Sequence, residues 1–280
     1  MPLSGRRPQH QKQTCAMQLL MSGYGPIADI LPRIYSVRPT MWSLGQQADC
    51  GFLPKTSQTN CIMEIAVKIL LYYAPIACSL APYITLTEAG ADFEVRSINL
   101  RKGQQKSPEY LKINPKHKVP LLVVDGKPLS ENVAIQQWID MTFPSANLFP
   151  KDPWQRLQAV SLLSWCSSGI HPYLTRMNSP IAVCDVAGTE ESVFKIAKSH
   201  LFENYKLADE MLAGREFFFD HFTAPDSHFF WCFRRGTLFD IDLSQFKNCT
   251  AHFERMKTRA SVQKLLAFEK SVQAEFAKVA

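Results

Sequence analysis

The sequence predicts an α/β domain followed by an all-helical one, and three observations carry that reading. A strand, a helix and a second strand succeed one another between residues 67 and 100. A β-prone run folded back at an Asp-Gly turn follows at residues 119–130. Beyond Pro153 the apolar residues recur at helical spacing and no strand period returns.

Residues 67–73 (VKILLYY) are rich in Leu, Tyr and β-branched side chains and stop at Ala74-Pro75, as a buried strand does. A loop carrying Cys78 leads into residues 79–89, where Leu80, Tyr83, Ile84, Leu86 and Ala89 mark a helix and Gly90 stands where a terminating glycine belongs. Residues 93–100 supply the second strand of a βαβ unit, with parallel pairing expected. Residues 119–124 and 127–130 form a hairpin about Asp125-Gly126. In residues 131–141, Val133, Ile135, Trp138 and Ile139 suit an amphipathic helix that Phe143-Pro144 ends. The order β-α-β-(α)-β-β-α is that of a thioredoxin-like domain. The expected organisation is therefore a poorly ordered extension over 1–66, a thioredoxin-like domain over 67–143, a Pro-bearing linker over 144–153 and an all-helical domain over 154–280. Its helices are expected at 154–177, 190–213, 223–236, 244–258 and 261–278. At the start of the third of these, Thr223-Ala-Pro-Asp226 has the spacing of a capping box, worth about 1 kcal/mol.

Composition narrows the function. The chain of 280 residues is 46% hydrophobic and 20% charged, ordinary for a globular protein. Of its net charge of +6, residues 1–61 supply +4 through six Lys/Arg against Asp29 and Asp49. The remainder is nearly neutral and has no dense basic run, so neither nucleic acid nor a membrane surface is expected as partner. Eight scattered cysteines include no CxxC pair and no metal-ligand spacing, which points to a reduced cytoplasmic protein without a metal site. No secretory signal or membrane anchor is expected, and Met63 is a sensible alternative start.

Four segments then carry a family resemblance. KILLYYAPIACSLAPYITLTEAG, INPKHKVPLLV, LSENVAI and HFTAPDSHFFW, in that order, resemble the opening strand and cysteine loop, the Asn-Pro to Val-Pro segment, the acidic turn and the buried capping segment of bacterial, beta-class-like glutathione transferases. The resemblance covers about three quarters of the chain, from residue 67 to the end. It implies reduced glutathione as co-substrate, no tightly bound cofactor, a small apolar electrophile as second substrate, and a homodimer.

Residue by residue, the sequence and the resemblance together define a candidate site. Cys78 lies before a helix, where free N–H groups and the helix dipole favour a thiolate; the resemblance makes it the residue facing the glutathione sulfur, and the alternative is a small buried hydrophobe. Ser79 either donates to the same sulfur or caps the helix. Val119-Pro120 is similar to the family's cis-proline site, where the residue before proline pairs with the cysteinyl unit of glutathione. Glu131 and Asn132, with Ser130, stand at a helix N-terminus suited to the γ-glutamyl group; the family usually has Ser or Gly at Asn132. Lys102, in the loop 101–104, is the candidate glutathione-contacting lysine. His171 corresponds to a histidine that approaches the cysteine in this class, or is a groove histidine without chemical role, and Pro172 beside it is expected to kink the helix. Ile76 replaces a glycine common before Ala-Cys. Tyr72 and Tyr73, and most of Phe229, Phe230, Trp231 and Phe233, read as packing residues.

Three functions follow. The leading one is conjugation of glutathione to apolar electrophiles. The others are thiol–disulfide exchange through Cys78 and non-catalytic binding on the same scaffold.

Overall fold

The computed structural model describes residues 67–278, so the expected extension over 1–66 and the start at Met63 lie outside the described residues. Strands β1 (Ile69–Tyr73), β2 (Glu94–Ser97), β3 (Leu121–Val124) and β4 (Lys127–Ser130) form one sheet in the order β2-β1-β3-β4. β1 runs parallel to β2, with Leu71 opposite Val95, and antiparallel to β3, with Leu71 opposite Leu122. The parallel pair needs a crossover, which helix α1 (Leu80–Glu88) provides. The hairpin between β3 and β4 turns at Asp125 and Gly126, both at positive φ.

Alternation along the strands sorts their side chains to two cores. Ile69, Leu71, Tyr73 and Leu122 join the main core, while Leu70, Tyr72, Leu121 and Val123 face a smaller one closed by Tyr110 and Ile113. Those two residues belong to α2 (Pro108–Ile113), the helix bracketed in the expected order; Ser107 caps it by accepting from the Tyr110 amide at 3.2 Å, and Pro108 opens it. The second strand is shorter than expected. After Ile98 donates to the Tyr73 carbonyl at 2.7 Å, the Asn99 side chain accepts from the Lys102 amide at 3.2 Å and turns the chain off the sheet.

Helices α3 (Asn132–Thr142), α4 (Pro153–Trp165), α5 (His171–Asn178), α6 (Glu190–Met211), α7 (Ala224–Gly236), α8 (Lys247–Thr258) and α9 (Ala260–Lys278) complete the described chain. The single helix expected over 154–177 is two, separated by a π turn at Cys166–Ile170. Pro172 has no N–H and its ring conflicts with the carbonyl four residues back, and the wider turn absorbs both defects. Gly169 lies in that turn directly under the Trp165 ring, where no Cβ fits. The linker is not a loose tether: Leu148 and Phe149 are buried in the main core, which runs without a break from Ile69 in the sheet to Leu265 in α9.

At the centre α7 is buried along almost its whole length. Its start is set by the capping box at Thr223 and Asp226, which forms with an addition. The buried Asp226 carboxylate accepts from the Thr223 amide and hydroxyl, each at 2.8 Å, and also from the Phe218 amide at 3.1 Å and the His252 ring at 3.0 Å.

Candidate active site

The turn between β1 and α1 is built from its own backbone and from Ser79. The Ala77 amide donates to the Ala74 carbonyl at 3.2 Å, and the buried Ser79 hydroxyl accepts from the Ala74 amide at 3.0 Å while donating to the Ala74 carbonyl at 3.2 Å. Ser79 therefore neither caps α1 nor points at the neighbouring sulfur, because its hydroxyl is used in closing the turn. Inside this turn Ile76 has φ +63°, a left-handed conformation that costs a β-branched residue about 1–3 kcal/mol. Both of its backbone groups are held from the helical side. Its amide donates to Glu269 of α9 at 2.7 Å, and its carbonyl accepts from the Trp231 indole of α7 at 2.9 Å.

Two residues on, the buried Cys78 thiol donates to the Val119 carbonyl at 3.5 Å. Val119-Pro120 is cis, as the resemblance implies. The approach to that bond is fixed by the Tyr110 hydroxyl and the Asn114 amide, which donate to the Lys118 carbonyl at 2.6 and 2.7 Å. Asn132, the first residue of α3, donates to the Cys78 carbonyl at 3.2 Å and leaves its Oδ1 buried without a partner. Glu131 precedes it at φ +77°, its exposed carboxylate 2.7 Å from Lys116. The structure thus brings Cys78, Val119, Pro120, Glu131 and Asn132 together where β1, β3 and α3 meet.

The expected thiolate is not found in this state. Burial pushes the Cys78 thiol up to about 12; its own backbone amide, Asn132 and Lys118 pull the other way and do not offset it. A residue at a helix start gains from the dipole only while the dipole outweighs lost hydration, and here lost hydration wins.

His171 opens α5 with its ring edge-on to Trp231, centroids 4.4 Å apart, and no hydrogen bond among the described residues joins it to the Cys78 sulfur. Burial, Lys118 and Arg235 push its imidazole down to about 4, so it is neutral near pH 7. Lys118 acts on both Cys78 and His171 and was not singled out in the sequence, where its only signal is a cation directly before Val-Pro. Glu269 and Trp231 were also missed as site residues, since their contacts with the turn span 193 and 155 positions. Lys102 lines a cavity of about 440 Å³ with Pro75, Ile76, Leu100, Arg101 and Phe276, and Cys78 is not among its lining residues. Tyr72 and Tyr73 pack as expected, Tyr72 edge-on to Tyr110 and Tyr73 with its hydroxyl on Glu269 at 2.9 Å. Among the described residues no group of His, Cys, Asp or Glu is placed to hold a metal ion, and no helix is long and apolar enough to cross a membrane.

Comparison with known proteins agrees with this fold. Residues 68–141 match the glutathione S-transferase N-terminal domain. Glutathione S-transferase GstA of Escherichia coli O157:H7 is 31% identical over 203 residues, which covers 71% of this chain and 98% of that protein. A glutathione S-transferase from Xylella fastidiosa superposes with a TM-score of 0.68 at 27% identity, covering 72% of this chain and 98% of that one. The sphingomonad glutathione S-transferase solved in complex with glutathione gives 0.64 at 28% identity, with the same coverage. A chain that carries this sheet, this cysteine turn and this helical layer over nearly the full length of such relatives belongs to the glutathione S-transferase family.

Proposed function

We propose that this transferase joins the thiol of reduced glutathione to an apolar electrophile, with residues 67–143 as the glutathione-binding domain, 144–153 as linker and 154–280 as the helical domain. The observation that carries the reading is the meeting of the Cys78 thiol, the Val119 carbonyl and the Asn132 amide at one point. The cysteinyl unit of glutathione lies along Val119-Pro120, its γ-glutamyl end at Glu131 and Asn132, and Lys102 serves the opposite end. The neighbouring sphingomonad structure, solved in complex with glutathione, supports glutathione as the ligand.

Protonation favours conjugation over exchange. A thiol held near 12 is a poor nucleophile but a competent donor, so Cys78 turns its S–H from Val119 to the glutathione sulfur and stabilises that sulfur as thiolate. The glutathione proton leaves to solvent, a carbon–sulfur bond forms at the electrophile, and its leaving group departs with the electron pair. Cys78→Ala is expected to lower kcat/KM on an aryl halide by about 10²-fold, in the range found for loss of one such donor. Cys78→Ser keeps a donor and is expected to stay within about tenfold of wild type. Turnover of a glutathione mixed disulfide that vanishes in Cys78→Ser, with aryl-halide turnover absent in the wild type, would instead establish exchange.

A second copy of the chain is the proposed partner on the face made by α3 and α4. The Asp140–Arg156 ion pair, 2.5 Å long, ties the end of α3 to the start of α4, and here Met141, Trp154 and Leu157 are each at least 60% exposed. Leu157→Glu is expected to convert a dimer to a monomer in sedimentation velocity; an unchanged sedimentation coefficient would remove this face from the interface. A cytoplasmic setting is supported by Cys78, Cys166, Cys184, Cys232 and Cys249 all being free thiols.

A further inference from the structure

We infer that Glu269 is a positioning residue for the cysteine turn, acting with Trp231 to hold Ile76 in the left-handed conformation that sets Cys78 against Val119. The inference rests on the proposed role of Cys78, but its geometry stands separately. An isoleucine disfavours φ +63°, and nothing in the turn's own hydrogen bonds involves the Ile76 amide or carbonyl. Both groups are bonded to side chains that arrive from the helical layer, the amide to Glu269 Oε2 at 2.7 Å and the carbonyl to Trp231 Nε1 at 2.9 Å.

Glu269 is itself over-determined. Its buried carboxylate also accepts from the Tyr73 hydroxyl at 2.9 Å and is ion-paired to Arg234 of α7. Tyr73 is the last residue of β1, so one carboxylate fixes the strand end, the turn and α7 relative to α9. Along the same helix, one and two turns beyond Glu269, Gln273, Phe276 and Ala277 form the wall of the cavity that Ala74, Pro75 and Ile76 face from the other side. Seating of α9 is thereby coupled to the shape of the turn and to the space beside it. Trp231 extends the coupling to His171, whose ring it meets edge-on.

The test uses the full chain and reads Cys78 directly. Glu269→Gln keeps the side-chain volume and an acceptor oxygen but loses the charge that holds Arg234 and the Ile76 amide together. It is expected to raise the rate of Cys78 alkylation by a small haloacetamide at least fivefold, followed by peptide mass spectrometry, and to lower kcat/KM for conjugation about tenfold. Adding Ile76→Gly should return both values to within threefold of wild type without restoring the lowered melting temperature, because glycine adopts φ +63° freely. Trp231→Phe keeps the ring and removes only the indole donor; it is expected to give a smaller change of the same sign, also reversed by Ile76→Gly, and it carries the test should Glu269→Gln fold poorly. Unchanged alkylation in folded Glu269→Gln or Trp231→Phe, or a change that Ile76→Gly does not reverse, would overturn the inference. A wild type inactive on aryl halides would refute the activity reading alone, since the alkylation rates still decide the positioning role.

Discussion

Asp226→Ala is expected to lower the unfolding free energy by at least about 4 kcal/mol, enough to consume a large part of the roughly 5–15 kcal/mol that holds a typical domain together. The wild-type carboxylate is fully buried and gathers four donors: the Thr223 amide and hydroxyl, the Phe218 amide and the His252 ring. Alanine leaves three buried N–H groups and a hydroxyl with no acceptor, each lost partner costing about 1–3 kcal/mol where water cannot enter. The site cannot relax by local fraying, because it opens the helix that lies at the centre of the core. Removal of the hydroxyl alone, in Thr223→Val, is expected to cost only about 1 kcal/mol, the usual worth of a cap. Urea denaturation at neutral pH ranks the two variants, and an Asp226→Ala midpoint within the error of Thr223→Val would show that the carboxylate is not a hub of this fold.

Much of this architecture was legible in the sequence because it is written in local signals. Residues 69–73 alternate between two cores, Gly90 ends α1 at positive φ, and Asp125-Gly126 makes its hairpin; each is decided by neighbours a few positions away. The same holds for Thr223 and Asp226, and for Cys78, Val119 and Asn132, whose segments bear a recognisable resemblance. What escaped was non-local. No periodicity reveals that Glu269 reaches back 193 positions to Ile76, or that Trp231, read as core, also spends its indole N–H on the same residue. The chemical state of Cys78 escaped for a different reason. Its place before a helix suggested a stabilised thiolate, but the sign depends on how completely the surrounding layers exclude water, and that is a property of the packed whole. Ser79 failed likewise: a serine at a helix start has two ordinary uses, and the turn geometry gave it a third.

Acidification should destabilise the fold before its carboxylates begin to titrate, and His228 and His171 are the cause. His228 of α7 is fully buried with neither ring nitrogen partnered, and burial, with His171 adding to it, pushes its imidazole down to about 3. Burial likewise holds His171 near 4. In the unfolded chain both titrate near the ordinary value of about 6.5. Between those limits the unfolded state binds protons that the native state refuses, so unfolding becomes easier as pH falls. The stability these neutral rings confer is fully present above about pH 6.5 and is lost progressively down to their folded values. Each ring contributes a limiting slope of about 1.4 kcal/mol per pH unit, so moving from pH 7 to 5 is expected to remove about 4 kcal/mol in total. Glu88 and Glu269, whose ion pairs with Arg259 and Arg234 outweigh their burial and hold them below the ordinary carboxylate value, add their own loss only at more acidic pH. His228→Phe separates the causes. It removes one titrating ring and two unpartnered polar atoms while keeping a planar side chain, so the variant should be at least as stable as wild type at pH 7 and lose only about half as much at pH 5. Equal urea midpoints for the wild type at pH 7 and pH 5 would mean that both imidazoles are solvated or paired in the native protein, and that α7 does not exclude water as its packing implies.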